Sequence, residues 1–193
     1  MKCLVVLAHP LESSLCRHLS DEAISHLESK GYEVTVKNLY QENFSPVLTP
    51  TERESYYEPE FDASQLESDI QQLQATESLV LIFPTWWFGF PAILKGWFDR
   101  VWAPGYAYDH ASDLGAIKAR LGNLKEVKVI TTLGSPWWVD NLILWKPVYR
   151  ILRIALIGVC AKGVKFKMLS FYNSEKATKL KVEDFVQKIK SIL

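Results

Sequence analysis

Three cysteines are all that the 193 residues contain, and Cys3, Cys16 and Cys160 form an odd, widely spaced set with no CxxC pair. That pattern argues against a disulfide framework and against a cysteine zinc centre, and it suits thiols in a reducing compartment, so a cytoplasmic protein without a metal is expected. Long apolar runs are also missing. The first one, Cys3–Ala8, stops at His9-Pro10, and the longest, Leu142–Val159, is broken by Lys146, Pro147, Arg150 and Arg153. Neither a signal peptide nor an integral membrane segment is expected from such runs. No sign of charge dominates, since 22 basic side chains meet 22 acidic ones, and no basic stretch is dense enough to make nucleic acid a partner. The distribution is uneven, with 5 basic and 14 acidic residues in 1–77 against 17 and 8 in 78–193. The halves are therefore near −9 and +9, which reads either as an anionic ligand or surface over the second half or as two solvated faces of one domain. GxGxxG and GxxxxGK[ST] are both absent, so neither a dinucleotide fingerprint nor a Walker loop is present. Internal repeats and low-complexity tracts are missing as well. The length and 48% hydrophobic content suit one domain over residues 1–193.

What is present is organised around 79–102, LVLIFPTWWFGFPAILKGWFDRVW. Leu79–Phe83 is a short apolar run ended by Pro84 and reads as a buried parallel strand. Pro91 stands where a helix would begin, and Ile93, Leu94, Trp97, Phe98, Val101 and Trp102 follow at helical spacing. Cys3–Ala8 is a first strand, followed by a helix that Ser13 or Ser14 caps and Gly31 ends. Tyr32–Leu39 alternates as an edge strand, and Asn43–Phe61, with three prolines, reads as a long loop. Ser64 and Glu67 have capping-box spacing ahead of a helix over 65–75. Gly105–Gly122 reads as irregular, Val127–Thr132 as a strand, the chain from Pro147 as a helix, Val164–Phe171 as a last strand and Glu175–Ile192 as a closing helix. This order predicts an α/β fold: a flavodoxin-like doubly wound parallel sheet of five strands, order 2-1-3-4-5, with helices on both faces. Ligands of such sheets bind at the carboxyl ends of the strands, at the switch point.

Three loops meet that edge. His9–Ser14 offers a helix N-terminus with hydroxyls for one phosphate, or a cap and a structural turn residue only. Pro84–Phe90 offers flat aromatic surface and a glycine, suited to a planar heterocycle, or ordinary core and interface rings. Thr131–Trp138 adds amides that can face an electron-rich ring edge. Together they describe a flavin better than other common ligands.

Ala8-His9-Pro10 with Ser14, the block Pro84–Val101, Gly105-Tyr106-Ala107-Tyr108 and Thr131-Thr132-x-Gly134 resemble the flavodoxin-like NAD(P)H:quinone oxidoreductases, over roughly residues 2–135. The resemblance implies a homodimeric enzyme that binds FMN or FAD, takes hydride from NAD(P)H and passes two electrons to a quinone or similar planar acceptor. By position, His9, Ser14, Leu15 and Cys16 would contact the flavin phosphate. Pro84, Thr85, Trp86, Trp87 and Phe88 would contact the isoalloxazine, and Thr131, Thr132 and Gly134 its pyrimidine edge. Tyr108 and His110, with Trp87 and Phe88, would line the acceptor pocket, Tyr108 reaching it from the partner subunit. The family's phenylalanine-asparagine pair is Leu15-Cys16 here, its double glycine is Leu133-Gly134, a second pocket tyrosine is His110, and the tyrosine and histidine further along have no counterpart in 135–141. The catalytic assignment therefore goes to the amides near Leu133 and Gly134, with His110 as a secondary proton donor. The short C-terminal part favours FMN, with FAD as the alternative. Rings at 97, 98 and 102, on more than one stripe, are expected to face a second copy. The other reading is a regulatory or binding protein of the same fold, for example a transporter's ancillary subunit, with little or no catalysis.

Overall fold

A computed structural model describes residues 1–111 and 115–193. Strands β1 (Lys2–Leu7), β2 (Glu33–Asn38), β3 (Ser78–Pro84), β6 (Glu126–Thr132) and β7 (Lys165–Phe171) form one sheet, and β4 (Tyr108–Asp109) pairs with β5 (Lys118–Ala119) in a separate short hairpin. The sheet order is β2-β1-β3-β6-β7, all parallel, which is the topology of the expected 2-1-3-4-5 once the hairpin strands are numbered. Alternation along β1 explains the two-sided core. Cys3, Val5 and Leu7 face α1 (Leu15–Ser29) and α7 (Lys179–Ile192), while Leu4 and Val6 share a cluster with α3 (Glu67–Ala75) and α4 (Ala92–Val101). β3 is buried at every residue, so its Leu and Ile side chains each contribute about 1.5–3 kcal/mol relative to exposure.

Four expectations need correction. Asn43–Phe61 is not all loop: α2 (Pro50–Ser55) starts with a complete capping box in which Thr49 Oγ1 accepts from the Glu52 N–H and Glu52 accepts from the Thr49 N–H. Ser64 makes no such box. Its N–H donates to Asp62, and α3 starts after Leu66 with no side-chain cap. Gly105–Gly122 holds the β4–β5 hairpin, and its residues 112–114 lie outside the described ones. The closing helix starts at Lys179, capped by Thr178, after a 3₁₀ turn at Ser174–Lys176.

The rings of α4 differ from expectation in a way that matters for assembly. Trp97, Phe98 and Trp102 are 1%, 3% and 3% exposed, covered by their own chain. The segment leading into α2 packs on another part of α4. Arg100, itself buried, donates to Glu52 through Nε at 2.9 and 3.1 Å and to the Ser45 carbonyl, and Phe44 lies under its guanidinium. Gly96 lets this segment close, because a Cβ there would overlap the Pro46 backbone. The argument for a dimer from these three rings therefore fails.

After β6 a π turn (Val139–Ile143) leads through Trp145 and Lys146, both with positive φ, into a helix made of α5 (Pro147–Arg150), a π segment (Ile151–Leu156) and α6 (Ile157–Cys160). The wider segment lets Val148, Leu152 and Ile157, spaced by four and then five residues, all reach the core.

Candidate functional site

β1, β3 and β6 are parallel neighbours, so the loops after Leu7, Pro84 and Thr132 share one edge. Side chains knit them together. Thr85 Oγ1 and Thr131 Oγ1 are 2.6 Å apart, Cys16 Sγ lies 3.5 Å from Thr132 Oγ1, and the His9 ring stands 6.2 Å from that of Trp86. The Thr85 N–H donates to the Thr132 carbonyl, prolonging the ladder one residue past Pro84. His9, Ser14, Leu15, Cys16, Thr85, Trp86, Thr131 and Thr132 are thus brought together. The hydroxyls of Thr131 and Thr132 are turned toward Thr85 and Cys16.

At the first loop, Ser14 caps α1 by accepting from the Arg17 N–H at 3.2 Å. Among the described residues nothing accepts from the N–H groups of Leu15 and Cys16, which is the ordinary state of a first helical turn and its capacity for an anion. His9 Nδ1 accepts from the Leu11 N–H at 3.1 Å, so the ring proton sits on Nε2, free to donate. Burial holds His9 below its ordinary value of 6.5, and the Leu11 bond needs the neutral ring.

The second loop carries the site's strain. Trp87 and Phe88 both sit in the left-handed region, at φ 50° and 55°, where a bulky side chain costs about 1–3 kcal/mol. The Gly89 N–H closes the turn on the Trp86 carbonyl. Trp87 is thereby held 100% exposed while Phe90 packs inward on Phe83 and Phe98.

At the third loop the assignment to Leu133 is corrected. Its side chain is buried and its N–H donates to the Phe171 carbonyl at 2.8 Å, continuing the β6–β7 ladder. The N–H groups of Gly134 and Ser135 have no acceptor among the described residues, and the Ser135 hydroxyl is buried without a partner. The turn at 173–175 closes on this end through Asn173 N–H to Ser135 O and Ser174 N–H to Leu133 O. A Cβ on Gly134 would stand 3.3 Å from Glu175 Oε1, so a bare backbone suits this approach. Free first-turn amides, an exposed indole and a paired set of unused amides beside an orphan hydroxyl fit a phosphorylated flat heterocycle.

Tyr108 and His110 are not joined to this cluster in one copy. Tyr108 Oη meets Tyr56 Oη at 2.8 Å, His110 Nε2 donates to the Tyr56 carbonyl at 3.0 Å, and the His110 ring lies 4.8 Å from that of Tyr57. Burial, with the Tyr56 hydroxyl next, pushes Tyr108 well above the usual phenol range, so it stays protonated. These side chains and Trp102, Leu156 and Val159 line a cleft of about 460 Å³. Tyr56 and Tyr57 stand in the sequence as part of the Asn43–Phe61 loop, and their place against Tyr108 and His110 comes from the fold. Only the capping box at Thr49–Glu52 could have placed them at a helix end.

A family model described as flavodoxin-like fold matches residues 1–153, and the chain belongs to that family. Among curated relatives, NAD(P)H dehydrogenase (quinone) 1 of Rattus norvegicus is 34% identical over 176 residues, 79% of this chain and 64% of its own length. The chain spans less than two thirds of the length of the first curated relatives it matches. A solved NAD(P)H:quinone oxidoreductase from Methanothermobacter marburgensis superposes with a TM-score of 0.85 at 22% identity, covering 99% of this chain and 94% of that one. An FMN-dependent NADH-azoreductase from Bacillus anthracis, solved with FMN, gives 0.80 at 15% identity, covering 100% and 97%. These last two likenesses are of fold.

Proposed function

We propose that this protein is a flavin-dependent NAD(P)H oxidoreductase that passes two electrons to quinones or similar planar acceptors. The observation that carries the reading is the pair of uncommitted amides at Gly134 and Ser135, set at the same sheet edge as Trp86–Phe88 and the first turn of α1. Similarity to NAD(P)H dehydrogenase (quinone) 1 and to the FMN-bound azoreductase supports it. In this reading Leu15, Cys16 and Ser14 hold the phosphate, with His9 Nε2 adding a donor. Trp86, Trp87 and Phe88 flank the ring system, and Thr131, Thr132 and Gly134 border its pyrimidine edge. When bound, the flavin supplies two-electron hydride chemistry. The free Gly134 and Ser135 amides would offer the bound ring fixed dipoles that stabilise negative charge without reorganising. Leu133 helps only by anchoring the loop, and Pro136 has no N–H to offer.

FMN is the cofactor favoured, by similarity to the FMN-bound azoreductase. A groove of about 570 Å³ between α1 and α7, lined by Ser13, Ser14, Val182, Lys179 and Lys190, gives the second half of FAD a specific place. Mass spectrometry of the released cofactor distinguishes them. The protein acts as a homodimer in the cytoplasm, in which Tyr108 and His110 of one copy wall the acceptor pocket of the other. Their packing on Tyr56 and Tyr57 supports this, and the free, buried state of all three cysteines suits the compartment. Purified protein should be yellow or take up FMN, and should consume NADH or NADPH with menadione. A colourless product that binds neither FMN nor FAD and leaves nicotinamide untouched would sink the enzyme reading in favour of a binding protein.

A further inference from the structure

His110 follows β4 directly, and although it is exposed its ring is fixed from several directions. Tyr57 lies 4.8 Å away at 30°, Tyr108 meets it edge-on at 5.4 Å and 88°, and Tyr56 stands 5.9 Å off. The decisive contact is the one of 3.0 Å between Nε2 and the Tyr56 carbonyl. A carbonyl oxygen only accepts, so Nε2 carries the hydrogen. In the neutral ring that leaves Nδ1 bare, and among the described residues nothing donates to it. His110 therefore presents a hydrogen-bond acceptor where a protonated imidazole would present a donor. Two residues earlier stands a donor. Tyr108 Oη and Tyr56 Oη are 2.8 Å apart, so one hydroxyl hydrogen lies between them and the other is left over. Because hydroxyls rotate, the pair can leave that hydrogen on Tyr108, and burial keeps this phenol protonated. A donor and an acceptor thus stand side by side, on rings whose centroids are 5.4 Å apart.

We propose that His110 makes the acceptor pocket selective for planar carbonyl compounds that carry an N–H or O–H group beside the carbonyl, with Nδ1 accepting from that group and the Tyr108 hydroxyl donating to the carbonyl oxygen. The inference rests on the reading that Tyr108 and His110 wall that pocket, and it names the acceptors the pocket prefers. A plain quinone offers only carbonyl oxygens, and these cannot donate. Set against a bare Nδ1, such an oxygen faces a lone pair with a lone pair, and the nitrogen gives up its water without a replacement. An amino or hydroxyl neighbour supplies the missing hydrogen. A site built to hydrogen-bond a substrate group rejects the analogue that lacks it, because its own polar atom is then left unpaired. Amino-substituted acceptors are the sharper case, since a ring hydroxyl acidic enough to ionise has no hydrogen left to give.

The test compares menadione with its analogue in which an amino group replaces the ring methyl, a pair of nearly equal size that differs in N–H donors. Because their intrinsic reactivity differs, the quantity read is the ratio of their kcat/KM values in the flavin-loaded protein, and how His110→Phe changes that ratio. The assay is run at about pH 8, above the reference histidine value of about 6.5. The variant should lower the amino-to-methyl ratio about 3- to 10-fold, the range of one hydrogen bond. An unchanged or higher ratio overturns the inference and leaves the reductase reading standing. No reduction of either compound by the unaltered protein sinks the reductase reading, and this inference with it. A second readout, on the protein as purified, needs no turnover. Long-range proton–nitrogen correlation of the imidazole rings at the same pH should show the His110 hydrogen on Nε2, its signal among those of the four histidines being identified by its loss in His110→Phe. A hydrogen on Nδ1, or a mixture of the two tautomers, overturns the assignment of His110 as an acceptor.

Discussion

His9 links the phosphate end of the candidate site to its aromatic slot, and its protonation is set by the Leu11 N–H that Nδ1 accepts. Burial lowers its pKa from 6.5, so the folded chain binds fewer protons at His9 than the unfolded chain just below that value. Stability from this group is full above about pH 6.5 and is lost as the pH falls through the lower folded value. Titration of the His9 ring by NMR should give a midpoint below 6.5. A midpoint at or above it would mean that the Leu11 bond does not form in solution. Trp87 offers a second test at this scale. It is fully exposed and lies beside Trp86, whereas Trp137 lies beyond Pro136, outside the stretch matched to the ring. Stacking adds about 0.5–1.5 kcal/mol, so Trp87→Ala should weaken FMN binding roughly 3- to 10-fold and Trp137→Ala much less. Equal losses in a fluorescence titration would reject the assignment of Trp87 to the ring.

Among the elements, the segment from Phe44 to Leu66 decides how α4 is covered. Glu52 and Arg100 form a buried pair, and removing one partner leaves a charge without compensation, which costs about 3–5 kcal/mol. Gly96 is a sharper probe, since the overlap with Pro46 comes from backbone that cannot turn aside. Gly96→Ala should cost about 3 kcal/mol, the upper end of overpacking. Gly122→Ala, with open space at its Cβ position, should be nearly neutral. Chemical denaturation that shows the two variants alike would mean that the segment does not pack on α4 in solution. The sequence hid this element for a local reason. α2 has six residues and no apolar stripe of its own, so periodicity is silent, and only the Thr49–Glu52 spacing and Pro50 betray it.

For the molecule as a whole, a ligand that binds only the folded state stabilises it by mass action. FMN at a hundredfold excess over its Kd should add about 2.7 kcal/mol and raise the Tm by roughly 5–10 °C for a chain of this size. No rise with either FMN or FAD would count against a flavin site. Flavin reduction at saturating NAD(P)H should stay nearly flat between about pH 6 and 8. Amides do not titrate, and Tyr108 is held protonated. Stopped-flow traces that titrate in this range, and lose the titration in His110→Phe, would move the proton work to His110. The sheet, its order and the three loops at its carboxyl edge were legible in the chain, since buried parallel strands are short apolar runs and Pro84, Pro91 and Gly31 punctuate them. Their assembly into one candidate site follows from topology, which any sequence of this pattern imposes. Which donors stay free was not legible. Leu133 and Gly134 look alike as backbone, and only the reach of Phe171 across to Leu133 separates a committed amide from an available one. Exposure was hidden for the same kind of reason. The rings of α4 and those of 137–145 are equally apolar in sequence, and tertiary packing alone buries the first set and leaves the second in solvent, because burial depends on what else the chain can bring to cover a surface.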